Sequence, residues 1–434
     1  MSLKSMFKAL TIRNYRLFFI GQGVSLIGTW IQRTTMGWYV YRLTNSVFLL
    51  GLVSFLSMIP SVVLSPFAGD LADRANRHKI IIGTQIAAYL QASALAVMVL
   101  TDYITPDFLL PLIIISLLQG IIEAIDAPVR QAYVIDLVGD KSYLPNAIAM
   151  NSAMFNGARL IGPSIAGLMI AFFNEGFCFA FNGLSYLPVL VMLFMIKLHY
   201  PKKELTGRSA LRNVIEGWSY AYQSFPIRYL ISNIMIFTFF GMSYATLLPV
   251  FARDVLKGDS KTLGLLMSTA GIGALSGALY LASRQSIKGL GQKMTSAGAV
   301  VSICLIIFAF STQLYMSMAL LLMIGLGMML QMASTNTIIQ GIVADKMRGR
   351  ILALYTMAYM SIAPFGSLMV GSVSSKIGVK YTLVVTASVC FLWSIYGLKS
   401  LKAFVSRVQR MLVLNKNTDV YRPAGSIPVM GRIK

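Results

Sequence analysis

The sequence predicts an all-α membrane protein, with twelve transmembrane helices in two pseudo-symmetric six-helix bundles. Three observations carry that expectation. Of 434 residues, 56% are hydrophobic and only 12% charged, against roughly 25% charged in ordinary globular chains, and the mean hydropathy is +0.71. Apolar stretches close to the ~20 residues needed to cross ~30 Å of hydrocarbon recur along the whole chain. A polar segment, "HYPKKELTGRSALRNVIEGWSYAYQSFP", then divides those stretches six and six.

The first span, about 15–41, carries Gln22, Ser25, Thr29, Gln32 and Arg33 at steps of mostly three or four. That stripe is expected to face a central cavity rather than lipid. Trp30, Trp38, Tyr39 and Tyr41 either shape the cavity or belong to an interfacial aromatic belt. Spans two and three, about 47–68 and 79–101, flank a basic turn. Span four, about 108–130, ends in "GIIEAIDAPVR", with Glu123, Asp126, Pro128 and Arg130. Span five, about 144–173, holds Asn156 and Arg159 near its middle among Gly157, Gly162, Pro163 and Gly167; span six covers about 177–198. The second half gives spans at about 227–255, 263–283, 293–311, 314–341, 349–374 and 379–399, with Asn233, Tyr244, Gln331, Asn336 and Tyr359 as further cavity candidates. These runs are continuous, whereas barrel strands alternate.

The expected organisation is an N-terminal bundle (1–198), a cytoplasmic linker (199–226), a C-terminal bundle (227–399) and a basic tail (400–434). In the linker Leu211, Val214, Ile215, Trp218 and Tyr222 share one helical face, as in a helix lying on a membrane surface. The halves also look duplicated. "IDLVGDKSYLPNAIAM" resembles "IQGIVADKMRGRILAL", Gly162 and Gly167 match Gly366 and Gly371 at a common offset of 204, and "GLVSFLSMIPSVVL" pairs with "GLLMSTAGIGALSG". Many transporters build two rocking lobes from such repeats.

The net charge of +22 belongs to topology rather than to nucleic acid, because Lys and Arg are distributed by side. Lys4, Lys8 and Arg13, then Arg74, Arg77 and Lys79, then Lys202, Lys203, Arg208 and Arg212, then Lys346, Arg348 and Arg350, and finally Lys402, Arg407, Arg410 and Lys416 all fall on one side. That side is expected to be cytoplasmic, with both termini inside; Arg253, Lys257, Lys261, Lys376 and Lys380 are exceptions to the bias. Cys178, Cys304 and Cys390 sit inside apolar runs and read as small hydrophobes, and His78 and His199 stand at span ends without metal-ligand spacing. P-loop, HExxH and GxSxG patterns are absent, which argues against an ATP-driven pump, the commoner hydrolases and any enzyme among them.

Between spans two and three stands "GDLADRANRHK". It resembles the cytoplasmic signature of the major facilitator superfamily, with Asn76 where a second glycine usually stands. The resemblance implies a cytoplasmic gate formed by Gly69, Asp70, Asp73, Arg74 and Arg77, in which the glycine permits close helix approach and the aspartate engages arginines and a helix N-terminus. The equivalent stretch of the second half, "LASRQSIKGLGQK", lacks both aspartates, so the latch is expected to be one-sided. "NGARLIGPSIAG" resembles the antiporter motif of superfamily exporters, with one extra residue between Pro163 and Gly167; its glycines also serve close helix packing in any membrane protein. Together with "NYRLFFIGQGVSLIGTWIQ", these stretches are similar to the drug:proton antiporter branch that contains the enterobactin exporter and macrolide efflux proteins, densely over roughly 14–190.

That resemblance implies proton-coupled export of an amphipathic small molecule, a siderophore or drug, by alternating access across the bacterial inner membrane. A lysophospholipid transporter on the same scaffold is the nearest alternative; a membrane-embedded enzyme or receptor is the alternative of another class. The expected partners are substrate, protons and bilayer, with no cofactor, no metal and no nucleic acid, and the chain acting as a monomer. One departure matters. Many drug antiporters carry an arginine in span four where this chain has Ser116, ahead of Gln119 and Gly120. Glu123 and Asp126 are therefore the proton-coupling candidates, being the acidic residues inside an apolar span, with Arg159 as expected countercharge. An Asp126–Arg130 pair at i, i+4 is the structural alternative for Asp126. The charge map predicts that tags at either terminus or within 201–225 react only from the cytoplasmic face of whole cells. Labelling of any of them from outside overturns the map.

Overall fold

Hydrocarbon offers no hydrogen bonds, so each spanning segment must satisfy its own backbone, and helices do so. The computed structural model describes residues 8–197, 210–284, 287 and 289–420; within these, the side chains of 65–66, 69–70, 72–74, 141, 210–215, 345–346 and 413–420 fall outside the description. The N-terminal bundle comprises α1 (Arg13–Thr44), α2 (Val47–Arg74), α3 (Arg77–Leu100), α4 (Leu110–Val138), α5 (Leu144–Phe172) and α6 (Glu175–Met195). A linker helix α7 (Ala210–Gln223) follows. The C-terminal bundle comprises α8 (Phe225–Val255), α9 (Ser260–Ala282), α10 (Leu290–Phe310), α11 (Leu314–Ile342), α12 (Asp345–Ile377) and α13 (Val379–Lys399), before a tail helix α14 (Leu401–Val420). The fold is therefore all-α, in two sets of six spanning helices. Among the described residues, eleven helices are long and apolar enough to cross a membrane. The remaining span, α1, is diluted by its polar stripe, which lies against its own bundle.

Short connections alternate the helices up and down. The end that carries the N-terminus, α7 and α14 is the basal end, and the opposite one the distal end. Turns are set locally. Asn45 closes α1 in the left-handed region (φ 49), and Ser46 caps α2 by accepting from the Leu49 N–H. Asn76 accepts from the Lys79 N–H at 3.2 Å and so caps α3, which gives this departure from the superfamily glycine a physical role. Helix α4 runs eight residues past the expected end at 130, because its late charges are all paired: Arg130 with Asp126, and Asp136 with Arg77. Helix α8 is irregular, with wide π turns at Phe237–Gly241 and Phe251–Val255.

The bundles meet along two seams, α2 against α12 and α5 against α9, and at each seam two glycines face one another. A Cβ on Gly371 would lie 2.8 Å from the Gly51 Cα, and one on Gly264 would lie 2.8 Å from the Pro163 carbonyl oxygen and 3.2 Å from the Gly167 Cα. Small residues are the means by which membrane helices gain van der Waals contact, since lipid supplies no hydrophobic drive between them. The pairing follows the internal repeat: Gly167 and Gly371 are equivalent, and Gly51 opens the stretch that matches the one opened by Gly264. Polar contacts reinforce the seams. The Ser260 hydroxyl donates to the Gly167 carbonyl at 3.1 Å, and Ser164 bonds Ser268. At the distal rim the Tyr41 hydroxyl donates to Asp254, and Arg253 donates to the Asn45 side chain at 2.8 Å and to the Tyr41 carbonyl at 3.3 Å. Among the described residues, the hydrogen bonds between bundles lie in the distal half, so the molecule is closed there.

At the basal end α7 is tied to the foot of α12 by Glu216–Arg350 at 2.5 Å. Its Trp218 and Tyr222 are exposed, as a membrane-surface helix requires. Leu211, Val214 and Ile215, the rest of the expected apolar face, are side chains outside the described residues. In α14 the buried Phe404 and Val408 dock against the C-terminal bundle, with Arg407 over the Phe225 ring at 4.5 Å. Gly264→Val and Gly371→Val each force a side chain under 3 Å from the facing backbone, which is expected to loosen the distal closure. With the three native cysteines replaced by alanine, maleimide should label Asn45→Cys severalfold faster in either valine variant; equal rates would show that the seams do not hold the distal end.

Candidate functional site

The site begins with three helices that bring charge to mid-membrane depth. Glu123 is residue 14 of the 29 in α4, Arg159 is residue 16 of the 29 in α5, and Arg33 comes from α1. Arg33 Nη2 donates to Glu123, and both side chains stay partly exposed, 42% and 31%. Gln119, one turn earlier on α4, donates to the other Glu123 oxygen at 3.2 Å. Glu123 was expected to face Arg159; in this conformation its partner is Arg33. The cation beside Glu123 thus comes from α1, a contact invisible in sequence because it joins residues 90 apart. Ser116 itself is buried and bonds back to the Leu112 carbonyl.

Arg159 lies exposed beside the same site. Its guanidinium is 6.0 Å from the Trp30 ring, and that of Arg33 is 5.2 Å from it, so one indole carries two cations. The charge of Arg159 also acts on the buried Tyr244 of α8, just past the wide turn that breaks α8 at 237–241. Gly366 packs against that turn at Phe239 and Ser243. Interrupted helices near the midplane are a recurrent feature of transporter binding sites.

Other expected cavity residues go elsewhere. Gln22, Ser25 and Gln32 are buried inside the N-terminal bundle rather than facing the cavity. Gln32 accepts from Asn182 of α6 at 2.7 Å and donates to Gln119 at 3.2 Å; Thr29 bonds the Tyr186 hydroxyl at 3.3 Å. The physical reason is that α1 packs along α6, and amide side chains left facing hydrocarbon would cost several kcal/mol, roughly. Asn156 is exposed and bonds its own helix at the Ser152 carbonyl. In the second bundle Asn233 accepts from Gln331 at 3.3 Å and from the Trp393 indole at 3.1 Å, an internal node. Asn336 accepts from Gln340 at 3.3 Å, and Tyr359 is half-buried against the lower core of the C-terminal bundle.

Asp126 separates from Glu123. It is buried and accepts from Thr84 at 2.8 Å, from Gln85 at 3.0 Å and from Arg130 at 3.4 Å. Asp126 therefore faces α3, inside the bundle, in the structural alternative named above. At the expected gate Arg77 is buried and donates to both Asp136 oxygens, at 3.0 and 3.1 Å, tying α3 to α4. Gly69, Asp70, Asp73 and Arg74 are side chains outside the described residues. Of the expected packing residues, Gly162 abuts Trp30, while Pro163 and Gly167 meet α9; Gly157 has open space around it. Among the described residues no cluster of potential metal ligands occurs. Sequence reasoning missed the distal lock of Tyr41, Arg253 and Asp254 and the Arg42–Glu175 pair at 2.6 Å. Arg253 had left one signal, as a cation on the wrong side of the charge bias.

A family model described as transmembrane secretion effector, within the major facilitator superfamily, matches residues 4–411. The chain belongs to that family. Its relatives include the staphyloferrin A transporter of Staphylococcus aureus, 26% identical and covering 88% of this chain and 95% of that one. Macrolide efflux protein A of Streptococcus pyogenes is 21% identical over 85% and 91% of the two chains. The multidrug efflux pump Tap of Mycolicibacterium fortuitum is 20% identical over 82% and 88%. Among solved structures, a bacterial homologue of the human lysosomal transporter Spinster, inward-facing and unoccupied, aligns with TM-score 0.69 at 13% identity over 91% and 98% of the chains. This transmembrane secretion effector is thus a major facilitator transporter and not an enzyme.

The geometry of Asp126 yields a stability test. Arg130→Ala strands a buried carboxylate and is expected to cost about 3 kcal/mol. Adding Asp126→Asn should return part of that loss, seen as a higher melting temperature in detergent than for Arg130→Ala alone. No recovery would mean the pair is not structural.

Proposed function

We propose that this chain exports an amphipathic small molecule of the siderophore or drug class across the bacterial inner membrane, driven by inward proton flow. The observation that carries the proposal is the Arg33–Glu123 pair, a carboxylate at mid-depth that stays partly exposed. The basic basal end faces the cytoplasm. Relatives named for transport or efflux of a siderophore, macrolides and multiple drugs support the substrate class.

The cycle follows from elementary electrostatics. A neighbouring arginine favours the ionised carboxyl, and loss of that partner in a poorly solvated site favours the protonated one. In the distally closed state Glu123 is paired with Arg33, while substrate enters from the basal side. Opening the distal end parts the glycine seams and the Tyr41–Asp254 lock. Substrate then leaves, and Glu123 takes a proton from outside before the bundles rock back. The ligand must bind the two states differently for flux to be directional. Asp126, buried among α3 partners, steadies α4 rather than carrying protons.

The test is reconstitution in liposomes with an anionic amphipathic dye, dansylglycine, as probe and a pH gradient acid on the distal side, with protein-free liposomes as the blank. Wild type is expected to move the probe against its gradient. Glu123→Gln should lose at least tenfold of the gradient-driven flux while retaining exchange without a gradient. Full gradient-driven flux in Glu123→Gln sinks the proton role.

A further inference from the structure

Two cations and one carboxylate meet at the Trp30 ring, and they do not balance. Arg33 is neutralised by Glu123. Arg159 is not: among the described residues no carboxylate pairs with it, and its contacts are the Trp30 face and the field it exerts on Tyr244. An arginine remains charged at any physiological pH. A permanent mid-depth cation in a membrane protein is costly to keep without a use.

The immediate surroundings add an apolar face to that charge. Arg159 is exposed, and the Trp30 ring stands 6.0 Å from its guanidinium.

We infer that Arg159 is a specificity-determining residue that binds an acidic group of the substrate, and that the substrate is a small water-soluble anionic amphipath whose apolar part lies against the Trp30 ring. The guanidinium offers a planar fork matched to a carboxylate, and Trp30 holds it by cation–π contact when the site is empty. A cationic ligand would meet Arg159 and the Trp30-bound Arg33 with like charge. A carboxylate would compete with Glu123 for the two arginines, so protonation of Glu123 and substrate binding are linked through a shared cation pool. This inference rests on the exporter reading for its consequence in transport, but its binding test requires no proton gradient.

The probes are dansylglycine and dansylcadaverine, one fluorophore carrying a carboxylate or an amine, added to the purified full-length protein in detergent; dansylamide reports apolar partition alone. Dansylglycine is expected to bind saturably, at least tenfold more tightly than dansylcadaverine. Arg159→Gln should weaken dansylglycine roughly tenfold or more, as loss of a charge-assisted pair does, while Arg159→Lys stays within about threefold of wild type by keeping the point charge. Glu123→Gln should tighten dansylglycine binding, because it removes the one competing carboxylate. Monodisperse elution of Arg159→Gln at the wild-type volume separates lost affinity from lost folding, and the lysine variant does so again. Absence of saturable dansylglycine binding, equal or tighter binding of dansylcadaverine, or unchanged dansylglycine affinity in Arg159→Gln overturns the inference. Arg159-dependent binding together with flux that ignores the pH gradient leaves the inference standing and removes only the proton-driven export.

Discussion

Everything in this molecule hangs on two places where backbone meets backbone without a side chain between. Gly51 against Gly371 and Gly167 against Gly264 bring the bundles together at the distal end. In lipid, where apolar side chains gain nothing by leaving their neighbours, close approach is the main source of helix attraction. The two contacts are related by the internal repeat, so each seam is the mirror in sequence of the other. The polar lock of Tyr41, Arg253 and Asp254 lies beyond the glycines and adds directional bonds at the rim.

Within each bundle the opposite rule holds, and polar side chains are the glue. Gln32, Asn182 and Gln119 join α1, α6 and α4, and Asn233, Gln331 and Trp393 join α8, α11 and α13. These groups have no water to fall back on, so they bond each other and hold the helices of a bundle in register. Asp126 belongs to this class, with donors from Thr84, Gln85 and Arg130. A bundle built this way moves as a body. The interface between bundles, made chiefly of glycine contacts with a few hydroxyl bonds, is the part that can change.

The charged groups left over from both kinds of glue mark the functional depth. Glu123, Arg33 and Arg159 are exposed where neighbouring polar residues are buried, and they converge on Trp30. In the other bundle α8 is widened by a π turn, and the buried Tyr244, on which the charge of Arg159 acts, follows it. The carboxylate is paired with Arg33, whereas Arg159 has no carboxylate partner among the described residues.

How much of this was legible beforehand follows from the range of each interaction. Hydropathy and helix length are properties of consecutive residues, so the twelve spans could be placed from sequence alone, as could the two halves. The pairing of Gly167 with Gly371 as repeat equivalents was legible, because duplication leaves a constant offset. Intramembrane charge also stands out in one dimension, which is why Glu123, Asp126 and Arg159 were on the list. What one dimension cannot contain is direction. Residues three apart on α4 point some 60° apart, roughly, by helix geometry, and that angle sends Glu123 to the cavity and Asp126 to α3. The stripe on α1 has the period of a single face, yet only packing against α6 decided that Gln22, Ser25 and Gln32 turn inward while Arg33 turns out. The partner of Glu123 came from 90 residues away, and that distance in sequence is closed only when α1 and α4 stand side by side.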